Sequence, residues 1–213
     1  MCVSCVGQNN NVFTPVPDFG IYESENQILF TNIIETKEGS GVRFMPAWLS
    51  SYIEGGIPAV ERLDAYSDKY VFIGVNRGEN FNALNIWADN FSEALDFPML
   101  AAVRIENRII STAALYPDNE YGAFFEAMVK GAYSGEYRGT VKNDTSWIKI
   151  WFENENTWEY AENYIFFVFI TIDKTAMQYI IRNMMTKVRD SVTVNTYQNN
   201  AINRLRLNFF EGF

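Results

Sequence analysis

Two stretches of this chain are apolar almost without a break, KYVFIGVN from Lys69 to Asn76 and YIFFVFITI from Tyr164 to Ile172. A strand that alternates apolar and polar residues buries one face, whereas one that is apolar at every position needs cover on both. The rest of the chain must supply that cover. Between the two runs the apolar period is helical: Phe81, Leu84, Trp87, Ala88, Phe91 and Leu95 fall on one stripe behind a capping Asn80, and Met99 to Ser111 continues helically beyond Pro98. Phe124, Phe125, Met128 and Val129 mark another helix over Asn119 to Tyr133.

The first part reads similarly. NQILFTNIIET, Asn26 to Thr36, suits a first strand closed by the turn Glu38 to Gly41. Pro46 then opens a helix carrying Trp48, Leu49 and Tyr52, stopped at Gly55-Gly56, with a second short helix over Pro58 to Tyr66. Past Ser134-Gly135 the period becomes alternating: a short strand over Arg138 to Lys142, then WIKIWFE from Trp147 to Glu153, joined by the hairpin NENTWEYAEN to the second apolar run. Asp173 leads a helix with Met177, Ile180, Ile181, Met184 and Met185 inward, and Tyr197, Ala201, Leu205 and Phe209 mark a last one. The pattern predicts an α+β fold, a mixed or antiparallel sheet of about four to five strands with helices packed on it. Residues 1–22 read as a signal remnant and polar tether, and 23–213 as a single α+β domain.

Composition narrows the chemistry. Seventeen basic against 26 acidic residues give a net charge of −9, which opposes binding to a phosphate backbone, so no nucleic-acid partner is expected. Histidine is absent, which removes Ser-His-Asp and Cys-His nucleophile activation and every His-ligated metal site. No catalytic residue, metal site or cofactor is predicted, and no window reaches the roughly 18 uninterrupted apolar residues of a membrane helix.

The only cysteines are Cys2 and Cys5. Their C-x-x-C spacing suits a dithiol, but redox pairs sit at a helix N-terminus that lowers the thiol pKa, and this pair stands in a polar tail. A zinc site would need two further ligands, from carboxylates or another chain. A third reading takes Val3-Ser4-Cys5 as the end of a bacterial lipoprotein signal, with Cys5 diacylated and VGQNNN as the leash; it requires an apolar signal segment upstream of Met1. Two incidental cysteines in a tail are the fourth.

Two regions are candidates for ligand binding. GVNRGEN, Gly74 to Asn80, joins strand to helix and offers backbone N–H groups, although its glycines serve a tight turn equally well. In WIKIWFE, Ile148, Ile150 and Phe152 share one strand face while Trp147, Lys149 and Trp151 share the other, and Glu155, Trp158 and Tyr160 follow in the hairpin. Trp147, Lys149, Trp151, Glu155, Trp158 and Tyr160 thus form a possible site for a glycan or small molecule, unless a helix covers the tryptophan face.

The step Pro46 to Trp48, the glycine-ended strand YVFIGVNRG, the helix entered at Asn80, the Trp-containing strand and the strand from Tyr164 into a helix resemble the small bacterial outer-membrane lipoproteins of the twenty-kilodalton antigen type. The related N-terminal domain of flagellar T-ring proteins has the same layout. The resemblance covers about Pro46 to Val188 and is one of pattern. It implies a non-enzymatic, lipid-anchored envelope protein with a scaffold or protein-interaction role, partnered by the membrane through its anchor and by other envelope proteins, at the periplasmic or surface face of the outer membrane. It carries no site residues to this chain.

Overall fold

A computed structural model describes residues 32–113, 122–153, 160–191, 196–211 and 213. In chain order the elements are β1 (Ile33–Thr36), β2 (Gly39–Ser40), α1 (Ala47–Glu61), β3 (Lys69–Gly78), α2 (Phe81–Asn90), α3 (Phe97–Ala113), α4 (Gly122–Tyr133), β4 (Thr140–Glu153), β5 (Tyr160–Asp173), α5 (Lys174–Ser191) and α6 (Thr196–Asn208). The five strands form one sheet in the order β2-β1-β4-β5-β3, with every pairing antiparallel, and the fold is α+β.

The two apolar runs explain this arrangement. They are β3 and β5, paired along their length from Lys69 opposite Asp173 to Gly78 opposite Tyr164. Residues opposite one another share a face, so Tyr70, Phe72, Phe166, Val168, Ile170 and Ile172 meet helices α2 to α6 in the larger core. Val71, Ile73, Ile165, Phe167 and Phe169 turn the other way and meet α1 in a smaller one. Apolar residues at every position are what a sheet covered on both faces requires.

In the smaller core Trp48 stacks on Phe169 with ring centroids 4.7 Å apart, and its indole N–H donates to Asp144 at 3.0 Å. The ring is buried flat while its one donor is satisfied, which is the usual condition for a buried tryptophan. The two predicted helices of this region form one element broken at the expected glycines: Gly56 has φ 65, and Pro58 follows. Beyond α1 the chain makes only a short 3₁₀ turn over Asp64–Tyr66.

Several expected boundaries differ, and β5 already opens at Tyr160, within the expected hairpin loop NENTWEYAEN. The helix entered at Asn80 ends at Asn90, because Ser92 and Asp96 then bond each other's loop: Ser92 N–H donates to Asp96 at 2.7 Å. Phe91 is still buried, but Leu95, expected on the same stripe, is 79% exposed. Pro98 does not interrupt a helix; it occupies the second residue of α3, where its missing N–H costs nothing. The separate strands expected at Arg138 to Lys142 and Trp147 to Glu153 are one strand, β4, with an irregularity between Lys142 and Asp144. The extra residue, Asn143, flips the alternation, so that Lys142 lies opposite Ile170 on the larger face and Asp144 opposite Phe169 on the smaller. Of the predicted first strand, residues 26–31 lie outside the described residues.

Gly74 lies within β3 rather than at a turn. A Cβ there would stand 2.8 Å from the ring of the buried Phe91, so the close packing of the segment after α2 on the sheet requires a glycine. Gly74→Ala is expected to lower stability by about 1–3 kcal/mol through overpacking, read as a lower urea midpoint with an unchanged slope.

Tyr137 is buried and donates to the Ala132 carbonyl at 2.9 Å. Burial pushes its phenol well above the ordinary value of 10.0. The unfolded chain gives up this proton near its ordinary value while the folded chain retains it, so its contribution is intact below that pH and lost progressively above it. Urea midpoints should therefore fall above about pH 10. Tyr137→Phe should make that fall less steep while removing about 1 kcal/mol at neutral pH for the missing hydrogen bond.

Candidate functional site

The tryptophan face of β4 is built as the alternation predicts. Trp147, Lys149 and Trp151 lie opposite Phe166, Tyr164 and Glu162 of β5, all on the larger face. Asn80 caps α2 by accepting from the Ala83 N–H at 3.1 Å, and this sets Phe81 over the face. The Phe81 ring meets Trp147 at 5.2 Å, Tyr164 at 5.1 Å and Phe166 at 5.2 Å, each edge to face. Trp147 is thereby half-buried under the start of α2. GVNRGEN accordingly serves as the end of β3 and the cap of α2.

Further along β4 the cover ends. Lys149 forms an ion pair with Glu162 and lies 5.8 Å from the Tyr164 ring centroid. The hydrogen bond from its ammonium to Glu162 holds the lysine above its ordinary range, against a smaller opposing effect of desolvation. Trp151 is 37% exposed. Tyr160 opens β5 with its backbone opposite Glu153, while Glu155, Trp158 and Cys5 lie outside the described residues. The structure thus brings together Trp147, Lys149 and Trp151 on one face, of which only Trp151 presents a broad surface.

A second region has the more developed geometry. β3 is the last strand of the sheet, and α1 and α3 reach its free edge from opposite faces. Arg104 of α3 donates to Glu61 of α1 at 2.8 Å and to the Val71 carbonyl at 2.9 Å, while Glu61 accepts from the Val71 N–H at 2.8 Å. An edge strand leaves main-chain N–H and C=O groups unpaired, and here one salt bridge supplies both missing partners for Val71. The guanidinium also lies 4.9 Å from the Tyr70 ring centroid, 5.2 Å from Phe72 and 4.8 Å from Phe213. Its side chain is 17% exposed and that of Glu61 16%. Arg108, one turn on, donates to the carbonyls of Asn208 at 2.6 Å and Phe209 at 2.7 Å, which caps α6.

Beside this seal a cleft of about 570 Å³ opens between α1 and α3. Tyr52, Ile57 and Pro58 form one wall, Leu100 and Val103 the other, with Ile73 of β3 at the edge strand. The size is that of a ligand or peptide pocket, and the lining is mainly apolar with a few fixed polar groups.

Little in the local sequence singles out Glu61, Arg104, Arg108 or this cleft. Arg104 and Arg108 at i, i+4 spacing are a faint local signal, since charged residues on a helix ordinarily mark its solvated face. Glu61 is 43 positions from Arg104, and only the helix crossing brings them together. Among the described residues no group of three acidic or cysteine side chains could hold a metal ion, and no helix is long and apolar enough to cross a membrane.

Arg104→Ala removes one partner of a largely buried pair and strands both Glu61 and the Val71 carbonyl. It is expected to cost about 3 kcal/mol or more in urea unfolding. Arg104→Lys should recover only part of this, because an ammonium cannot present the planar fork that bridges carboxylate and carbonyl.

Compared with known proteins, the chain matches no family model, no curated protein and no solved structure.

Proposed function

We propose that this chain is a non-enzymatic envelope protein of a bacterium, attached to the outer membrane through a lipid on Cys5, whose α+β domain works as an interaction module. The observation that carries the interaction role is the cleft beside β3. Its charged groups are all engaged in holding the fold, Glu61 and Arg104 on Val71 and Arg108 on the end of α6. What remains for a partner is a mainly apolar wall, with the uncharged Asn107 and Ser111 of α3 in it, and a strand edge. Such a surface suits binding by shape and burial and offers no free acid-base pair for proton transfer. The anchoring rests on Val3-Ser4-Cys5 and the polar run after it. A lipid anchor with more than one chain gives stable attachment where a single chain does not.

One observation favours a second reading. Trp151 is 37% exposed at the end of β4 beside the Lys149–Glu162 pair, an aromatic surface with polar neighbours of the kind that stacks on a sugar. On that reading Trp151→Ala abolishes glycan binding; on the favoured one it leaves partner binding within about twofold.

Expression from the native genomic locus in cells fed an alkynyl fatty acid tests the anchor. Label should appear on the wild-type chain and vanish in Cys5→Ser; an unlabelled wild-type chain would remove the anchoring half of the proposal. Val103→Trp, which fills the cleft, should abolish in-cell cross-linking to envelope partners while urea unfolding stays cooperative. Unchanged cross-linking would remove the interaction half.

A further inference from the structure

The free side of β3 alternates in a way the seal makes readable. Val71 directs both its N–H and its C=O away from β5, toward Glu61 and Arg104. Along an antiparallel strand this orientation recurs at every second residue, so Ile73, Val75 and Arg77 also face outward. The Arg77 N–H donates to the side chain of its neighbour Asn76 at 2.9 Å. No described residue bonds the outward groups of Ile73 or Val75. Among the described residues, cover therefore stops at Val71, and the next outward residue lies at an apolar cleft. Unpaired edges are normally blunted by charge, proline or cover, because they template pairing with another chain.

Resting on the interaction role proposed above, we infer that β3 accepts an extended peptide segment of a partner protein as an added strand along Ile73 to Arg77, with alternate apolar side chains of that segment entering the cleft between α1 and α3. The groups left unmet by the described residues are an N–H and a C=O on each of two alternate residues, a pattern that another strand's main chain matches. The walls supply the second half of recognition: on one face Tyr52 and Ile57, on the other Leu100 and Val103. A second copy of the sheet fits less well, since α1 and α3 flank the edge from both faces and obstruct an in-plane sheet with helices of its own. A single strand passes between them.

The test starts from a displayed library of random peptides selected against the full chain. The tightest peptide is resynthesised as a series carrying one backbone N-methyl group at each position in turn. Methylation at alternating positions should weaken binding about tenfold or more, and intervening positions little, because each effective methyl removes one main-chain hydrogen bond and blocks the edge. Ile73→Pro deletes one outward N–H and none of the β3–β5 ladder, and should weaken binding by a similar factor in a chain with unchanged near-ultraviolet circular dichroism. Val103→Trp should abolish it. A library that yields no specific binder overturns the inference. So does a peptide indifferent to N-methylation, one that binds the α3–α4 groove beside Ile110 and Tyr133, or self-association abolished by Ile73→Pro. If those negative results accompany cross-linking that Val103→Trp still abolishes, the interaction role stands and strand addition alone falls.

Discussion

The ion pair between Glu61 and Arg104 is the point at which three layers of this protein meet. Glu61 ends the helix that covers one face of the sheet, Arg104 lies within a helix packed on the other, and both close on the main chain of Val71 between them. A sheet apolar on both faces must terminate somewhere, and its last strand carries polar groups that neither core can accommodate. Satisfying Val71 with a charged pair closes one position of the edge and fixes how α1 and α3 approach it. The Tyr70, Phe72 and Phe213 rings around the guanidinium shelter the pair from water.

The cleft follows from the same arrangement. Two helices held at one position of an edge, one from above the sheet and one from below, leave a space between them wherever the seal does not reach. That space borders Ile73, and its walls combine the buried core residues Tyr52 and Leu100 with the less buried Ile57, Pro58 and Val103. The binding surface is thus a by-product of how the edge is closed. The opposite edge is closed partly in the same way: β1 pairs with β4 only over Ile148 to Ile150, the Lys142 N–H of β4 donates to the Glu93 carboxylate at 2.6 Å, and beyond β1 the two-residue β2 ends the sheet by its brevity.

Local pattern made much of this fold legible. Uninterrupted apolar runs announced β3 and β5, alternation announced the faces of Trp147, Lys149 and Trp151, and Gly55-Gly56 announced the break in α1. Less visible was the irregularity at Asn143, because one extra residue changes which side chains face inward without altering the apolar content. The seal was not legible at all. Glu61 and Arg104 look like ordinary surface charges of two separate helices, and their role depends on a crossing that no short window contains. Gly74 carried a signal that pointed to the wrong cause, suggesting a turn where packing against Phe91 is the reason.

Native-state amide hydrogen exchange at neighbouring outward positions of β3 tests the account most directly. The Val71 amide, bonded to Glu61, should exchange with protection approaching that of the β3–β5 ladder, whereas the Ile73 amide should exchange at least about a hundredfold faster. In Arg104→Ala the Val71 protection should fall toward that of Ile73. Equal protection of Val71 and Ile73 in the wild-type chain would contradict the claim that a salt bridge closes the edge at one residue and leaves the next one open.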